Sequence, residues 1–178
     1  MSWSRWIDPC RLAGAAALLF ILANPVAAED TAACGKFKWP LSVEKSWFDA
    51  VSDLKAYASG AAVSQLSEGA LTLALRPMAE ITFALPPEGK PKPDKTLGAL
   101  LNFTKVTKPG RYQVTLSDEA WIDIVQAGAY RPSGEFSGVR DCPDLRKSVR
   151  FEFTDAPLIL QLSGASAPTI KVAIRKVE

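Results

Sequence analysis

The sequence predicts a mostly β protein, a single antiparallel β-sandwich of jelly-roll-like form that follows a short N-terminal helix. Roughly seven or eight short runs alternate apolar with polar residues. Turn residues separate these runs about every 8–12 positions, a spacing typical of β-sandwiches. Strict alternation indicates strands with one buried and one wetted face, as in antiparallel sheets. No repeat of about 20–50 residues occurs in the sequence, which excludes solenoids and propellers.

The first 28 residues have the layout of a secretory signal peptide. Arg5 and Arg11 precede an uncharged run, residues 12–28, whose centre is strongly apolar. Pro25 breaks this run, and the small side chains of residues 26–28 suit a signal peptidase. We therefore expect residues 1–28 to be removed from the mature protein.

Two alternatives to cleavage and release remain open. A retained membrane anchor would need about 20 apolar residues, and the apolar run is shorter and contains Pro25. Lipid attachment at Cys34 would need that cysteine to adjoin the apolar core, but Glu29 and Asp30 lie between them. We therefore predict that residues 29–178 form one domain, periplasmic or secreted, without stable membrane insertion.

The net charge bears on the kind of partner, and the cysteine content bears on covalent cross-links. Cleavage removes two of 21 basic and one of 19 acidic residues, so the formal net charge falls from +2 to +1. That balance gives no electrostatic reason to expect a nucleic-acid partner. Cys10 leaves with the signal peptide, and in an oxidising compartment Cys34 and Cys142 are expected to pair. In the chain-entropy model, closing a loop of about 100 residues stabilises a fold by about 4–5 kcal/mol.

The first half of the mature chain contains a helix and then strands. A short amphipathic helix is predicted over residues 43–50, with Ser42 as its N-cap. Alternating strands are predicted at residues 71–75 and 81–85, and a Pro- and Lys-rich loop at residues 86–95. The apolar side of the helix is expected to consist of Val43, Trp47, Phe48 and Val51.

The second half carries the clearest alternation. A strand at residues 98–106 leads into a turn at residues 108–110, and a glycine-containing loop is predicted at residues 127–146. Five further strands are predicted, at residues 112–116, 120–126, 149–154, 158–163 and 170–175.

The absence of histidine limits the chemistry more than any other feature. It excludes Ser-His-Asp and Cys-His mechanisms, and also the usual histidine-based iron and zinc sites. Neither a dinucleotide-binding glycine motif nor a phosphate-binding loop is present. We therefore predict no cofactor, no metal and no catalytic residue. A carboxylate-dependent glycan hydrolase stays open as the enzymatic alternative, because such enzymes need only two acidic groups.

Asp123 is the most unusual residue of the predicted strands, since a carboxylate in a hydrophobic strand is costly to bury unless paired. Alternation places Trp121 and Asp123 on one sheet face, where an aromatic beside a carboxylate suits a sugar. With Arg150, they are the candidate ligand-binding residues. Alternatively, Asp123 accepts hydrogen bonds from a neighbouring turn, pairs with Arg150, or joins Asp118 and Glu119 in a calcium site.

Six short segments carry a family resemblance: Lys38-Trp39-Pro40-Leu41, Leu75-Arg76-Pro77, Phe83-Ala84-Leu85-Pro86-Pro87, Pro109-Gly110-Arg111-Tyr112, Trp121-Ile122-Asp123 and Asp141-Cys142-Pro143. Through them, over nearly all the mature chain, the sequence resembles a group of small secreted alphaproteobacterial proteins. That family has no established activity, so the resemblance implies no functional residues. Some such chains carry the label homogentisate 1,2-dioxygenase. This chain lacks every histidine that such an iron site requires and is far too short for that enzyme.

These observations favour a non-catalytic periplasmic or secreted domain that binds an envelope glycan or an envelope protein. Export, a sheet with two different faces and the missing catalytic groups all point in that direction. The alternatives are a structural accessory subunit of an envelope complex and the carboxylate-dependent hydrolase.

Overall fold

The computed structural model describes Met1, residues 32–90 and residues 92–177. Apart from Met1, the predicted signal peptide at residues 1–28 lies outside the described residues. None of the helices within the described part is both long and apolar enough to span a bilayer.

The described residues contain a helix of eight residues, twelve strands and two short 3₁₀ helices, at Val51–Asp53 and Met78–Glu80, and residues 32–34 are also helical. The helix α1 is Ser42–Asp49. The strands are β1 Lys55–Tyr57, β2 Ala61–Val63, β3 Gly69–Ala74, β4 Arg76–Pro77, β5 Leu97–Phe103, β6 Gly110–Leu116, β7 Trp121–Gln126, β8 Ala129–Tyr130, β9 Ser133–Gly138, β10 Lys147–Phe153, β11 Leu158–Ala165 and β12 Thr169–Lys176.

The strands form two sheets, which confirms a mostly β fold. The first sheet has the order β1-β3-β12-β6-β10-β9, and the second has the order β2-β5-β11-β7-β8, with β4 also beside β5. Neighbouring strands are antiparallel except for the pairs β1/β3 and β2/β5, which are parallel. The chain passes from the first sheet to the second four times, between β1 and β2, β3 and β4, β6 and β7, and β10 and β11.

The inner faces of the two sheets share one hydrophobic core. Tyr112 and Val114 of β6 lie in the same buried cluster as Ile122 of β7 and Leu160 of β11. The rings of Tyr112 and Phe153 stack with their centroids 4.7 Å apart. Burial of each such side chain contributes about 1.5–3 kcal/mol to the stability of the fold. Because side chains alternate along a strand, the outer faces of both sheets remain for other contacts.

A second hydrophobic cluster lies on the outer face of the first sheet. Phe37, Trp39 and Phe48 of the N-terminal segment pack there with Leu145. The predicted disulfide between Cys34 and Cys142 is confirmed and joins this segment to the loop before β10, across 108 positions of sequence. The N-terminal segment is thus fixed to the sheet by packing and by a covalent bond.

The helix lies where it was predicted, and the prediction of its buried side is right for Phe48 and Trp47 but wrong for Val43 and Val51. Val43 is exposed and Val51 is 63% exposed, whereas Glu44 is buried together with Phe48. The Glu44 carboxylate faces the sheet because its Oε1 accepts hydrogen bonds from Gln113 Nε2 and Arg175 Nε, each at 2.7 Å. The predicted N-cap at Ser42 is wrong: Ser42 is the first residue of the helix, Leu41 occupies the N-cap position, and no side chain caps the helix.

The predicted strand at residues 81–85 is not a strand. Its side chains alternate in burial, but the segment runs across the outer face of the second sheet without joining a ladder. The backbone N–H groups of Ala84 and Leu85 donate to Gln161 Oε1, at 2.8 and 3.2 Å, and Gln161 Nε2 donates to the Leu85 carbonyl. A single glutamine of β11 therefore replaces the strand partner, and the two prolines that follow supply no N–H donors.

Other differences concern short strands. The predicted loop at residues 127–146 contains β8 and β9, and the chain between α1 and β3 contains β1 and β2. These strands of two to six residues lack the alternation that reveals the longer ones. The six predicted strands from residue 98 onward correspond to β5, β6, β7, β10, β11 and β12.

Candidate functional site

Trp121 and Asp123 lie side by side on the outer face of the second sheet, as the alternation predicted. Trp121 Nε1 donates a hydrogen bond of 2.7 Å to Asp123 Oδ1. The Glu88 backbone N–H donates to Asp123 Oδ2 at 3.2 Å. Asp123 is only 3% exposed, so its carboxylate serves as a fixed acceptor that holds both the indole and the segment before Gly89.

Burial is the main influence on the Asp123 carboxyl group and raises its pKa, while the hydrogen bonds from Trp121 and the Glu88 backbone lower it in part. Of the alternatives for this residue, the structure places it with a neighbouring loop, residues 84–89. Since both carboxylate oxygens already accept hydrogen bonds, the hydrolase alternative gains no support from Asp123.

Gly89 lies directly against the Trp121 indole. A Cβ atom at Gly89 would come within 2.6 Å of both Cβ and Cγ of Trp121, a distance that no side chain tolerates. Tyr130 adds a further attachment, because its hydroxyl donates a hydrogen bond to the Pro86 carbonyl. The loop of residues 84–89 is therefore held to the sheet by Gln161, Asp123 and Tyr130, and it supports one part of the Trp121 ring.

A pocket of about 390 Å³ opens beside Trp121; we call it the Trp121 pocket. Trp121 remains 44% exposed despite its hydrogen bond and its contact with Gly89. The pocket combines this aromatic side chain with charged groups of both signs. It is lined by Met78, Glu88, Gly89, Lys90, Lys92, Glu119, Ala120, Trp121, Lys147, Ser163 and Gly164.

Lys147 reaches the pocket from the first sheet. Its ammonium group lies 5.0 Å from the Trp121 ring centroid and 5.5 Å from that of Phe136, a residue of β9 that is 52% exposed. It donates a hydrogen bond of 3.1 Å to the Ala120 carbonyl. Burial lowers the pKa of Lys147, and the nearby Glu119 partly offsets that effect.

Glu119 is surrounded by three cations. Its carboxylate lies 2.9 Å from Lys95 Nζ, 3.3 Å from Lys92 Nζ and 3.1 Å from Arg146 Nη2. The hydrogen bond from Lys95 is the largest cause that lowers the Glu119 pKa, from 4.5 to about 2; burial opposes it, and Lys92 and Arg146 add to it.

The alternative of a calcium site at Asp118, Glu119 and Asp123 gains no support from the geometry. The Glu119 carboxylate is neutralised by protein cations, and Asp118 Oδ1 accepts the Glu119 backbone N–H at 2.6 Å. Within the part of the chain that the structure describes, no group of three or more His, Cys, Asp or Glu residues is arranged to hold a metal ion.

Arg150 does not belong to the Trp121 pocket. It projects from the outer face of the first sheet, where its Nη1 lies 2.8 Å from Glu135 Oε2 and its Nε donates to Gln113 Oε1 at 3.3 Å. Its guanidinium carbon lies 4.1 Å from the Trp39 ring centroid. The pairing of Arg150 with Asp123 is therefore wrong, because the two residues lie on the outer faces of different sheets.

Sequence reasoning missed the charged half of the pocket, above all Lys147. One signal pointed to it: Lys147 shares the strand phase of Val149, Phe151 and Phe153, whose side chains are buried in the core. A lysine at the start of an inward-facing series marks the open end of the space between two sheets. Lys92 and Glu119 carried no comparable signal.

Comparisons with protein-family models, with curated protein sequences and with solved structures found no match to this chain. The geometry of the pocket therefore carries the functional argument.

Proposed function

We propose that this chain is a non-catalytic, exported binding domain, and that its Trp121 pocket holds an envelope glycan. The observation that carries the proposal is an indole that is 44% exposed although Asp123 and Gly89 fix its position. A tryptophan that is both exposed and immobilised loses little conformational entropy when a ligand covers it. Indole rings also provide an apolar surface beside a polar edge, which suits a sugar.

The dimensions of the pocket agree with this role. Small-molecule sites commonly have volumes of about 300–1,000 Å³ and combine an apolar wall with a few placed polar groups. The Trp121 pocket, at about 390 Å³, has Trp121 and Met78 as apolar groups and Ser163 as a neutral polar group.

The strand order supports a jelly-roll sandwich as the scaffold. The series β3-β12-β6-β10 in one sheet and β5-β11-β7-β8 in the other has the alternation between sheets expected of two Greek keys. In this proposal the short strands β1, β2 and β4 and the edge strand β9 are additions. Lectins use the same architecture, although a fold alone does not specify a function.

A periplasmic or secreted location is part of the proposal. Its support is the Cys34–Cys142 disulfide, since such bonds persist in oxidising compartments, together with the layout of residues 1–28.

A structural accessory role is the second candidate, and it is favoured by one observation. Phe136 is 52% exposed on the edge strand β9, next to the pocket, where a partner protein could cover it. Cross-linking in the envelope of the expressing cell, followed by purification, would recover a specific partner that is lost with Phe136→Ala.

The test of glycan binding is titration of the protein, purified from the envelope of the expressing cell, with a panel of envelope oligosaccharides. Trp121→Ala should abolish binding by protein that is still folded, although its thermal midpoint should fall because the buried Asp123 carboxylate loses one hydrogen-bond donor. Val51→Ala removes an exposed apolar side chain that does not line the Trp121 pocket, and this variant should bind normally. Binding that is equal in both variants would reject the Trp121 pocket as the site.

A further inference from the structure

Positive charge is concentrated around the Trp121 pocket. Lys90, Lys92 and Lys147 line it, and Lys95 and Arg146 adjoin it through Glu119. Against these five cations stand the carboxylates of Glu88 and Glu119 in the lining and of Asp123 behind Trp121. The mature sequence carries almost no net charge, so the excess at this pocket is a local feature.

The five cations differ in whether they form an ion pair with a carboxylate. Lys92, Lys95 and Arg146 share the Glu119 carboxylate. Lys147 forms no ion pair with any carboxylate of the described residues, and its hydrogen bond goes to the neutral carbonyl of Ala120. An ammonium group has three N–H donors, so Lys147 retains donors for a ligand at the pocket wall.

Lys147 is also poorly solvated. Its ammonium group lies between the rings of Trp121 and Phe136, and burial is the largest influence on its pKa. Moving a charge out of water is unfavourable unless a partner compensates. The rings compensate in part through cation–π attraction, and a bound anion would compensate further because a charge-assisted hydrogen bond is strong in such surroundings.

We infer that the Trp121 pocket selects an anionic saccharide, one whose carboxylate or phosphate group pairs with the Lys147 ammonium while its ring contacts the exposed part of Trp121. This inference rests on the proposed function and specifies its ligand class. Lysine acts as a point charge without the planar fork of arginine, so a carboxylate and a phosphate are both suitable partners.

The experiment compares matched sugars by two-dimensional NMR of the isotope-labelled protein, with the Trp121 indole N–H as the local reporter. Glucuronate and glucose 6-phosphate differ from glucose only in the anionic group, and inorganic phosphate reports the ion alone. We expect either or both anionic sugars to bind about 10–100-fold more tightly than glucose, the range of one charge-assisted hydrogen bond. Inorganic phosphate should leave the indole signal unchanged.

Two variants test the assignment to Lys147. Lys147→Met keeps the aliphatic chain between the rings but removes the charge, and it should remove the preference for anionic sugars. Lys105→Met removes the same charge from an exposed position away from the pocket lining and should keep the preference. If Lys147→Met fails to fold, rising salt concentration applied to the unchanged protein should weaken anionic sugars more than glucose.

Each other outcome overturns a specific statement. Equal binding of glucose and the anionic sugars would overturn the inference and leave glycan binding intact, as would a preference that survives Lys147→Met. An indole shift with inorganic phosphate as large as that with the sugars would reduce the site to an ion site. Binding of none of these sugars and none of the oligosaccharides tested above would overturn the proposed function as well.

Discussion

At the scale of single residues, two carboxylates of the Trp121 pocket, Asp123 and Glu119, have different roles. Asp123 is buried and accepts neutral N–H donors from Trp121 and from the Glu88 backbone. Glu119 is partly exposed and accepts only cationic donors. Burial therefore raises the pKa of Asp123, and ionic hydrogen bonds lower that of Glu119. Asp123 holds the Trp121 indole in place, and Glu119 holds Lys92, Lys95 and Arg146 together beside the pocket.

Glu119 should contribute to stability in a defined pH range. Its pKa is about 2 in the folded protein, against an ordinary value of 4.5, so ionisation favours the folded state. Its contribution is complete above about pH 4.5 and disappears as the pH falls through about 2. Carbon-detected NMR titration of the Glu119 carboxyl should give a midpoint near 2 that Lys95→Met raises. A midpoint near 4.5 in the unchanged protein would contradict the three ion pairs.

Gly89 tests how closely the loop of residues 84–89 supports Trp121. Gly89→Ala should displace the loop or the indole, since a Cβ there would lie 2.6 Å from two Trp121 atoms. The cost is about 1–3 kcal/mol, as for overpacking in general, and the Trp121 indole N–H signal should shift. Denaturant unfolding measures the first effect and NMR the second.

Gly134→Ala is the matched control for Gly89→Ala. A Cβ at Gly134 would meet only the Arg150 carbonyl oxygen, at 3.7 Å, an ordinary contact. This variant should unfold at nearly the same denaturant concentration as the unchanged protein. A loss of stability at Gly89 no greater than at Gly134 would show that the loop moves freely.

At the scale of elements, α1 depends on a polar contact that its sequence does not reveal. Arg175, Gln113 and Arg150 form a row across β12, β6 and β10, since Arg175 and Arg150 both face Gln113 in register. Glu44 of α1 meets two of them, and its second oxygen, Oε2, is buried without a hydrogen-bond partner. The helix is therefore attached by one strongly bonded oxygen as well as by Phe48.

Glu44→Ala should be strongly destabilising, because it leaves Arg175 and Gln113 without their acceptor under the helix. Breaking a buried pair by removing one partner costs about 3–5 kcal/mol. Lys45→Met, at the next position, breaks only the exposed pair with Asp49 and should cost about 0.3–0.5 kcal/mol. Urea unfolding of both variants decides the matter, and equal small effects would mean that the Glu44 contact contributes little to the attachment of α1.

The same elements show what the sequence could and could not predict. Each of the strands β6, β10 and β12 has three large apolar residues at alternate positions, and all of these lie in the core between the sheets. The period of two therefore predicts the inner face of each strand. Residues 81–85 have the same period, but a glutamine side chain of β11 takes the place of a neighbouring strand. Glu44 was missing from the predicted buried side of α1 because its partners lie 69 and 131 positions away.

The candidate site was half predictable for a similar reason. Trp121 and Asp123 are two positions apart on one strand, so local geometry alone places them together. The pocket is also lined by three charged residues from separate segments, Lys92, Glu119 and Lys147. Only tertiary folding brings such residues together. The strand phase of Lys147 is the one local signal, and it does not identify the partners of this lysine.

At the scale of the whole molecule, each sheet has its outer face partly covered by a segment that is not a strand. Residues 84–89 lie on the second sheet, and the N-terminal segment from Cys34 to α1 lies on the first. The first attachment relies on hydrogen bonds to Gln161 and Asp123. The second has the hydrophobic cluster, the Glu44 contact and the disulfide, so the two coverings should differ in their response to reduction.

Reduction of Cys34–Cys142 should loosen the N-terminal covering without opening the core between the sheets. The bond closes a loop of 108 positions, which corresponds to about 4–5 kcal/mol in the chain-entropy model. Both cysteines belong to the outer cluster and neither is part of the inner core. Hydrogen exchange after reduction and alkylation should therefore accelerate around residues 34–49 and 139–145, while β6, β11 and β12 stay protected. Uniform acceleration in all three strands would mean instead that the outer cluster and the inner core unfold as one cooperative unit, with the disulfide stabilising both.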